Sequence, residues 1–352
     1  MDRAKQYQSN EFTQECRGNT MGEIEAGRAS QLMPIDEHVL RTTPLTPRFA
    51  VDDAKGGPKR KVSLIDDFRA IGVNDLAHTQ DTDAPGNLNT LLAAANFLKK
   101  LNPDARLSAF SVDFEHAYKN IPLRRLQGGF AKTAATPPEG EPLMAELRTQ
   151  PFGARRAPAN WGRATAFIQW VLATFCYVYL GKYVDDCFTA EPAGACRSAF
   201  DTVKEVCVLL GFPLEDKKEW APAAVINLLG ASVTLGHEFL EAIAPADRKH
   251  ALLVELKAVL SSGKLTPSGE AKIRGRLGYG QSLMFWRMGR AHLAPFPERQ
   301  YEKFTKGAWK LSTSLREVIA WWIANISSSV PRRISPRRLH PLILYADAAG
   351  SG

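Results

Sequence analysis

The chain has 352 residues, a formal net charge of +8, and hydrophobic and charged fractions of 45% and 23%. These proportions are typical of a globular protein with room for more than one domain, and the basic excess suits a polyanionic partner. The sequence has no long apolar run, no apolar core of a signal peptide at its start and no Cys-x-x-Cys pair among its five cysteines. It therefore predicts no membrane span, no secretory route and no zinc module, and we expect an intracellular protein.

The first part of the chain is polar and then interrupted by prolines. Residues 1–31 are rich in Gln, Asn, Glu and Arg, which predicts a loose arm or the cut edge of a longer polypeptide. Three prolines between residues 34 and 47 argue against a long helix there. A Gly-Gly-Pro turn at residues 56–58 then leads into the basic cluster 59–61 and a strand. This cluster suits phosphate binding, and a solvated turn is the alternative.

Helices are predicted where apolar residues recur at three- and four-residue spacing. One of them begins at an N-cap Thr followed by Pro, at residues 266–267. The other predicted helices cover residues 87–101, 157–171, 195–210, 246–262 and 311–326.

Acidic residues stand at the ends of strand-like runs. Asp113 follows the apolar run 107–112, and Asp185-Asp186 lies between the apolar runs 173–180 and 187–190. A short polar pair between β-branched and aromatic residues predicts two strands and a tight turn. A plain surface turn is the alternative for an isolated Asp-Asp pair. If tertiary structure joins the three acids, their oxygens suit two Mg²⁺ or Mn²⁺ ions and phosphoryl transfer.

At these acids the sequence resembles the reverse transcriptases. Five segments are similar to motifs of that family and occur in the family's order. The resemblance spans roughly residues 59–230, and its Pro-Phe-Gly motif is similar to that of retrotransposon-type enzymes. The five segments are residues 111–118 around Asp113, 150–161 with Pro-Phe-Gly and Ala-Pro, 183–186 (Tyr-Val-Asp-Asp), 211–218, and 228–230.

The resemblance implies an α+β fold with the right-hand arrangement of polymerases, namely fingers, a palm with an antiparallel sheet, and a helical thumb. It implies a polar arm over residues 1–31, fingers and palm over 32–240, and a helical thumb or connection over 241–335. Residues 336–352 resemble the start of a ribonuclease H-like domain, because Asp347 follows an apolar strand. The sequence ends five residues later, so we expect this domain to be truncated and without activity.

The resemblance also implies catalytic roles. Asp113 and Asp185 would bind both metal ions, and Asp186 would assist through its charge. Lys218 matches the family's lysine and would protonate the pyrophosphate leaving group, although an exposed loop lysine is the alternative. Lys61 would bind triphosphate or template phosphates.

Three further residues would form the nucleotide pocket if the resemblance holds. Tyr118 would lie beside the incoming sugar, where its ring would exclude a 2′-hydroxyl group and favour deoxynucleotides. A tyrosine of the core is the alternative. Phe152 would pack on the nucleotide or in the core, and Gly153 would let the backbone approach the ligand closely.

The predicted function is templated DNA synthesis from deoxynucleoside triphosphates onto a primer, with an RNA or DNA template and no membrane partner. One alternative is a catalytically impaired relic that binds nucleic acid, because Ser63 stands where the family usually carries Arg. Lys61 or Arg60 replacing that Arg, and a shifted register, are the other interpretations of this departure. The second alternative is an RNA-dependent RNA polymerase, against which Tyr118 argues. The sequence does not fix the oligomeric state or the parent element.

Overall fold

A computed structural model describes residues 13–52, 62–77, 85–124, 129–135, 141–284, 289–297 and 309–336. The predictions for Lys61 and for the ribonuclease H-like strand with Asp347 lie outside these residues. The chain divides into two compact units, each made of three sequence segments. Unit 1 comprises Met1–Gly86, Asp113–Cys187 and Val203–Asp216, and unit 2 comprises Asn87–Val112, Phe188–Thr202 and Lys217–Gly352.

Several helices of the described residues begin at capping residues that the sequence offers. Asn87 forms a capping box with Thr90, and Thr266 and Ser312 each accept a hydrogen bond from a backbone N–H of the first turn. None of these helices is long and apolar enough to span a membrane. They are α1 Thr13–Glu25, α2 Glu37–Thr42, α3 Leu88–Leu101, α4 Ala157–Phe175, α5 Ala193–Leu209, α6 Ala246–Ser262, α7 Pro267–Ser282 and α8 Thr313–Ser327.

The strands are short and mostly antiparallel. Together with the helices they confirm the α+β class. They are β1 Met33–Pro34, β2 Leu45–Asp52, β3 Val62–Asp66, β4 Leu107–Asp113, β5 Lys132–Ala135, β6 Leu143–Glu146, β7 Gly181–Tyr183, β8 Asp186–Pro192, β9 Trp220–Ala223, β10 Val225–Leu228, β11 Ala231–Leu235, β12 Leu240–Ile243 and β13 Arg332–Ile334.

Unit 1 contains a five-stranded sheet with the order β1-β6-β5-β2-β3. The β2–β3 pair is antiparallel and sets Arg48 opposite Asp66, whereas β2 and β5 are parallel. A core of small and apolar side chains from α1, β6, the residue before β5 and the segment after β3 packs beside this sheet, and it includes Ile24, Phe68 and Leu147. The sheet thereby fixes β3, whose last residue, Asp66, lies next to the candidate site described below.

Two apolar cores lie in unit 2. Helix α3 packs on strands β4, β8, β10, β11 and β12 through side chains such as Leu91, Leu92 and Phe188. Strands β10 to β13 form an antiparallel sheet in chain order, and β8, β4 and β9 are neighbours in a second sheet whose remaining strand is β7. A separate helical core joins α6, α7 and α8 around Leu256, Phe296 and Trp322, and their fully buried side chains exclude water from it.

Two predicted elements differ from the structure. The polar segment expected to be a loose arm contains α1, whose buried face includes Cys16, Thr20 and Glu23 instead of an apolar stripe. The run 173–180, predicted to be a strand, begins as the last turn of α4, and the strand that precedes the Asp-Asp pair is only Gly181–Tyr183. Two aromatic residues at the end of this helix, Trp170 and Phe175, are exposed.

Candidate active site

Asp113 is the last residue of β4 and lies against the turn that carries Asp185. The backbone N–H of Phe114 donates to the carbonyl oxygen of Asp185 at 3.3 Å. On its other side, the carbonyl oxygen of Asp113 accepts from the N–H of Glu215 at 2.8 Å. Asp113 itself is only 5% exposed. The first acidic motif and the Asp-Asp motif, 72 positions apart in the sequence, therefore meet at the level of their backbones.

The turn between β7 and β8 has a conformation that needs support. Val184 has a φ of 56°, which is the left-handed region that β-branched residues avoid. The indole nitrogen of Trp161 donates to the carbonyl oxygen of Val184 at 2.7 Å, and Lys182 donates from its buried ammonium to the carbonyl oxygen of Gly162 at 2.6 Å. Helix α4 thus holds the turn at two points, and the turn orients Asp185 and Asp186.

A cluster of aromatic rings supports both acidic motifs. The rings of Phe114 and Trp161 lie edge to face with centroids 5.0 Å apart, and each also packs on Phe212, at 6.3 Å and 5.9 Å. Such edge-to-face contacts add to the energy of area burial. Because Phe114 follows Asp113 directly and Trp161 holds the Val184 turn, this cluster makes the relative position of the two motifs rigid.

Tyr118 lies on a tight turn directly after the first acid. His116 and Ala117 have φ values of 60° and 25°, and Tyr118 belongs to the short 3-10 helix Ala117–Asn120. The ring of Tyr118 contacts that of Phe152, with centroids 5.2 Å apart. Burial, and then the negative charge of Asp185, raises the pKa of the Tyr118 hydroxyl. The charge of the Asp185 carboxylate therefore acts on the Tyr118 hydroxyl.

The segment Phe152–Gly153 is fixed against the end of β3. The N–H of Asp66 donates to the carbonyl oxygen of Phe152 at 3.0 Å, and the amide of Asn74 donates to the carbonyl oxygen of Gly153 at 2.9 Å. Gly153 has a φ of 104°, and a Cβ there would overlap the carbonyl oxygen of Asp66. Glycine is therefore required at this position by both torsion angle and space. Phe152 remains 38% exposed, which leaves one side of its ring open.

The three aspartates supply the hard oxygen atoms that Mg²⁺ and Mn²⁺ prefer. Across the described residues, however, no three His, Cys, Asp or Glu side chains stand close enough together to hold one metal ion. The backbones of Asp113 and Asp185 are adjacent, so rotation about side-chain bonds is what would bring the carboxylates to a shared ion. The donor chemistry and the backbone positions fit a divalent cation, whereas the present side-chain arrangement is not a formed cluster.

The remaining predicted residues have different outcomes. Lys218 lies exposed in a short 3-10 helix, Asp216–Lys218, and belongs to unit 2, so its predicted role stays a prediction. Ser63 is a half-buried residue of β3 opposite Val51. Sequence reasoning did not identify Trp161 as a support of the Val184 turn. A fully buried Trp with a polar ring nitrogen is a residue that needs a hydrogen-bond acceptor, and this was the available signal.

Comparison with solved structures identifies the architecture. A foamy viral protease-reverse transcriptase, in a form designated dRH and in complex with double-stranded DNA, matches 92% of this chain with a TM-score of 0.63 and 13% sequence identity. This chain has a reverse-transcriptase-like fold. The foamy viral protease-reverse transcriptase in complex with an RNA/DNA hybrid and that in complex with dsDNA each match 92% of the chain at 13% identity, with TM-scores of 0.64 and 0.61.

The matched region is a part of each viral protein. The chain covers 50%, 38% and 59% of the three foamy viral chains. No protein-family model matches the sequence. No curated protein matches it either. The assignment of the fold therefore rests on structural similarity at low sequence identity.

Proposed function

We propose that this chain is an RNA-directed DNA polymerase of retrotransposon type, with the fingers, palm and thumb of a right-hand polymerase. The observation that carries the proposal is the hydrogen bond between the N–H of Phe114 and the carbonyl oxygen of Asp185, which joins the two acidic motifs. The reverse-transcriptase-like fold and the nucleic acids bound by the foamy viral enzymes support it. The formal net charge of +8 suits a nucleic-acid partner.

In this proposal the chain's residues position the reactants of nucleotidyl transfer. The primer 3′-hydroxyl attacks the α-phosphate of a deoxynucleoside triphosphate, and pyrophosphate leaves. Asp113 and Asp185, with Asp186, would hold the divalent cations, which neutralise charge on the phosphates when bound. Tyr118 and Phe152 form the wall against which the sugar lies. Catalysis comes mainly from positioning and from charge neutralisation.

A second candidate function is nucleic-acid binding without synthesis. One observation favours it, namely Ser63 at the position where the resemblance places the family's usual Arg. Such a protein would bind a primer-template duplex with strong salt dependence. It would add no nucleotide when Mg²⁺ is supplied.

Primer extension tests the proposal directly. The protein is incubated with oligo(dT) annealed to poly(rA), dTTP and Mg²⁺, and a poly(dA) template is run beside it. We expect metal-dependent addition of dTTP on the RNA template. UTP in place of dTTP tests for an RNA polymerase, which would prefer the ribonucleotide. Salt-dependent duplex binding without any extension in Mg²⁺ or Mn²⁺ would support the second candidate and overturn the first.

A further inference from the structure

A buried network of four charged side chains lies in unit 1. Arg48 makes two hydrogen bonds to Asp66, at 2.9 Å and 3.0 Å, and a third to Glu23 at 2.8 Å. Glu23 also accepts from the ammonium of Lys119. The side chains of Arg48, Glu23 and Asp66 are 1%, 7% and 3% exposed, and that of Lys119 is 15% exposed. Two cations and two anions thus balance inside the protein.

Both ends of this network reach the pair of rings formed by Tyr118 and Phe152. At one end, Asp66 binds the backbone of Phe152 through its own N–H. At the other end, Lys119 follows Tyr118 in the chain, and its ammonium lies 5.7 Å from the centre of the Phe152 ring. The contacts therefore form a closed circuit from Phe152 through Asp66, Arg48, Glu23 and Lys119 back to Phe152.

The turn that carries Tyr118 needs such an anchor. His116 and Ala117 both have left-handed backbone conformations without being glycine, and conformations of this kind persist only where the surroundings enforce them. The ion pair between Lys119 and Glu23 ties the 3-10 helix after this turn to α1. A buried charge network of this size is costly compared with apolar packing, so net stability alone does not account for it.

We propose that Glu23 and Lys119 are positioning residues that fix the Tyr118–Phe152 pair and thereby set the discrimination between deoxyribonucleoside and ribonucleoside triphosphates. This inference rests on the proposed polymerase function. Helix α1, which carries Glu23, is then part of the substrate-selecting apparatus through its ion pair with Lys119. Rigid placement of the two rings is what excludes a 2′-hydroxyl group, because a ring that shifts leaves room for the extra oxygen.

The test measures selectivity. The ratio of kcat/KM for dTTP to that for UTP is determined on poly(rA) with an oligo(dT) primer for wild type, Glu23→Gln and Lys119→Met. Glu23→Gln keeps the shape and one acceptor for Arg48, and Lys119→Met keeps the apolar stem. We expect the ratio to fall on the order of tenfold in each, because small misplacements at a reacting centre have effects of this size or larger. Tyr118→Ala is the positive control for lost discrimination.

Two further variants separate positioning from folding. Lys119→Arg keeps the cation and is expected to retain the wild-type ratio. Glu37→Gln breaks the exposed pair between Glu37 and Arg41, whose side chains are 78% and 75% exposed, and is expected to change nothing. A purely structural role would lower turnover of both nucleotides equally and leave the ratio unchanged, and this result would overturn the inference. Should Lys119→Met fail to fold, Glu23→Gln carries the test alone.

The outcomes also separate this inference from the function on which it rests. If the wild-type protein extends no primer, the proposed function is wrong. If the wild type is active and the Glu23→Gln variant folds but keeps the wild-type ratio of kcat/KM for dTTP to that for UTP, only the positioning role is wrong. An active wild type with reduced ratios in Glu23→Gln and Lys119→Met, and an unchanged ratio in Glu37→Gln, supports both.

Discussion

The indole nitrogen of Trp161 donates a hydrogen bond to the carbonyl oxygen of Val184, 2.7 Å away. This bond joins the helix after the Pro-Phe-Gly segment to the turn that carries the Asp-Asp pair. Trp161 is fully buried, and Val184 has the left-handed φ of 56°. One side chain therefore both fills the aromatic cluster and holds a strained backbone next to Asp185.

Replacing Trp161 tests this support. We expect Trp161→Phe to lower the free energy of unfolding by at least about 1 kcal/mol, because the Val184 carbonyl loses a buried donor. Primer extension should slow on the order of tenfold, since the turn beside Asp185 loses its tether. Trp170→Phe, on the same helix but 55% exposed, is the control and should change neither. Denaturant unfolding and extension rates check both variants, and equal behaviour of the two would contradict the assigned role.

A single methyl group at Gly153 should destabilise the fold. We expect Gly153→Ala to destabilise the protein by more than about 1–3 kcal/mol, because the φ of 104° is strained for alanine and its Cβ would overlap the Asp66 carbonyl oxygen. Gly18→Ala in α1 is the matched control, since nothing lies within 4 Å of a Cβ there. It should stabilise by about 0.5–1 kcal/mol through helix propensity. A Gly153→Ala variant as stable as wild type in thermal unfolding would refute this account.

The sequence predicted the elements whose apolar residues follow one period. Helix α3 was expected over residues 87–101 and is Leu88–Leu101, and α6 was expected over 246–262 and is Ala246–Ser262. The sequence did not predict α1, because Thr20 and Glu23 on its buried face are hydrogen-bonded to Arg48 and break the apolar pattern of a buried helix face. Periodicity cannot reveal a helix whose burial depends on a charge partner elsewhere in the chain.

The candidate site, like the fold, was predicted from the sequence only in part. The resemblance to the reverse transcriptases pointed to Asp113, Asp185, Tyr118 and Phe152. The structure places the backbone next to Asp113 against that of Asp185, and the ring of Tyr118 against that of Phe152. The supporting contacts were not predictable from the sequence. Arg48 meets Asp66 through strand register, and the acceptor for the Trp161 indole is a backbone carbonyl, which carries no residue-specific signal. Local patterns therefore indicate candidate site residues, whereas the contacts that support them are fixed only by tertiary structure.

The proposed mechanism depends most directly on Asp185. We expect Asp185→Asn to reduce primer extension by at least about 10³-fold, because loss of one metal-binding charge costs several kcal/mol of transition-state stabilisation and each 1.4 kcal/mol is about tenfold in rate. Duplex binding, measured by fluorescence anisotropy, should remain. Asp201→Asn, which breaks an exposed pair with Arg197, is the control and should keep full activity. Extension that survives in Asp185→Asn would rule out the assigned mechanism.

The buried network gives the protein a pH dependence of known sign. Burial alone would raise the pKa of Glu23, but Arg48 and Lys119 more than offset it and hold the pKa below the ordinary value of 4.5. A carboxyl group with a depressed pKa in the folded state contributes stability that is present above its unfolded pKa and is lost as the pH falls through its folded pKa. We therefore expect wild type to exceed Glu23→Gln in unfolding free energy by about 1–3 kcal/mol at pH 7.

That difference should shrink only below about pH 4.5, where the unfolded carboxyl begins to bind its proton and Glu23 approaches a neutral amide in charge. Urea unfolding of both proteins between pH 7 and pH 3 measures the difference directly. Glu37→Gln, at an exposed ion pair, should follow wild type throughout. Acidification should narrow the difference in unfolding free energy, because protonation removes the negative charge that Arg48 and Lys119 stabilise. A difference between wild type and Glu23→Gln that grows as the pH falls would mean that Arg48 and Lys119 do not hold Glu23 as an anion.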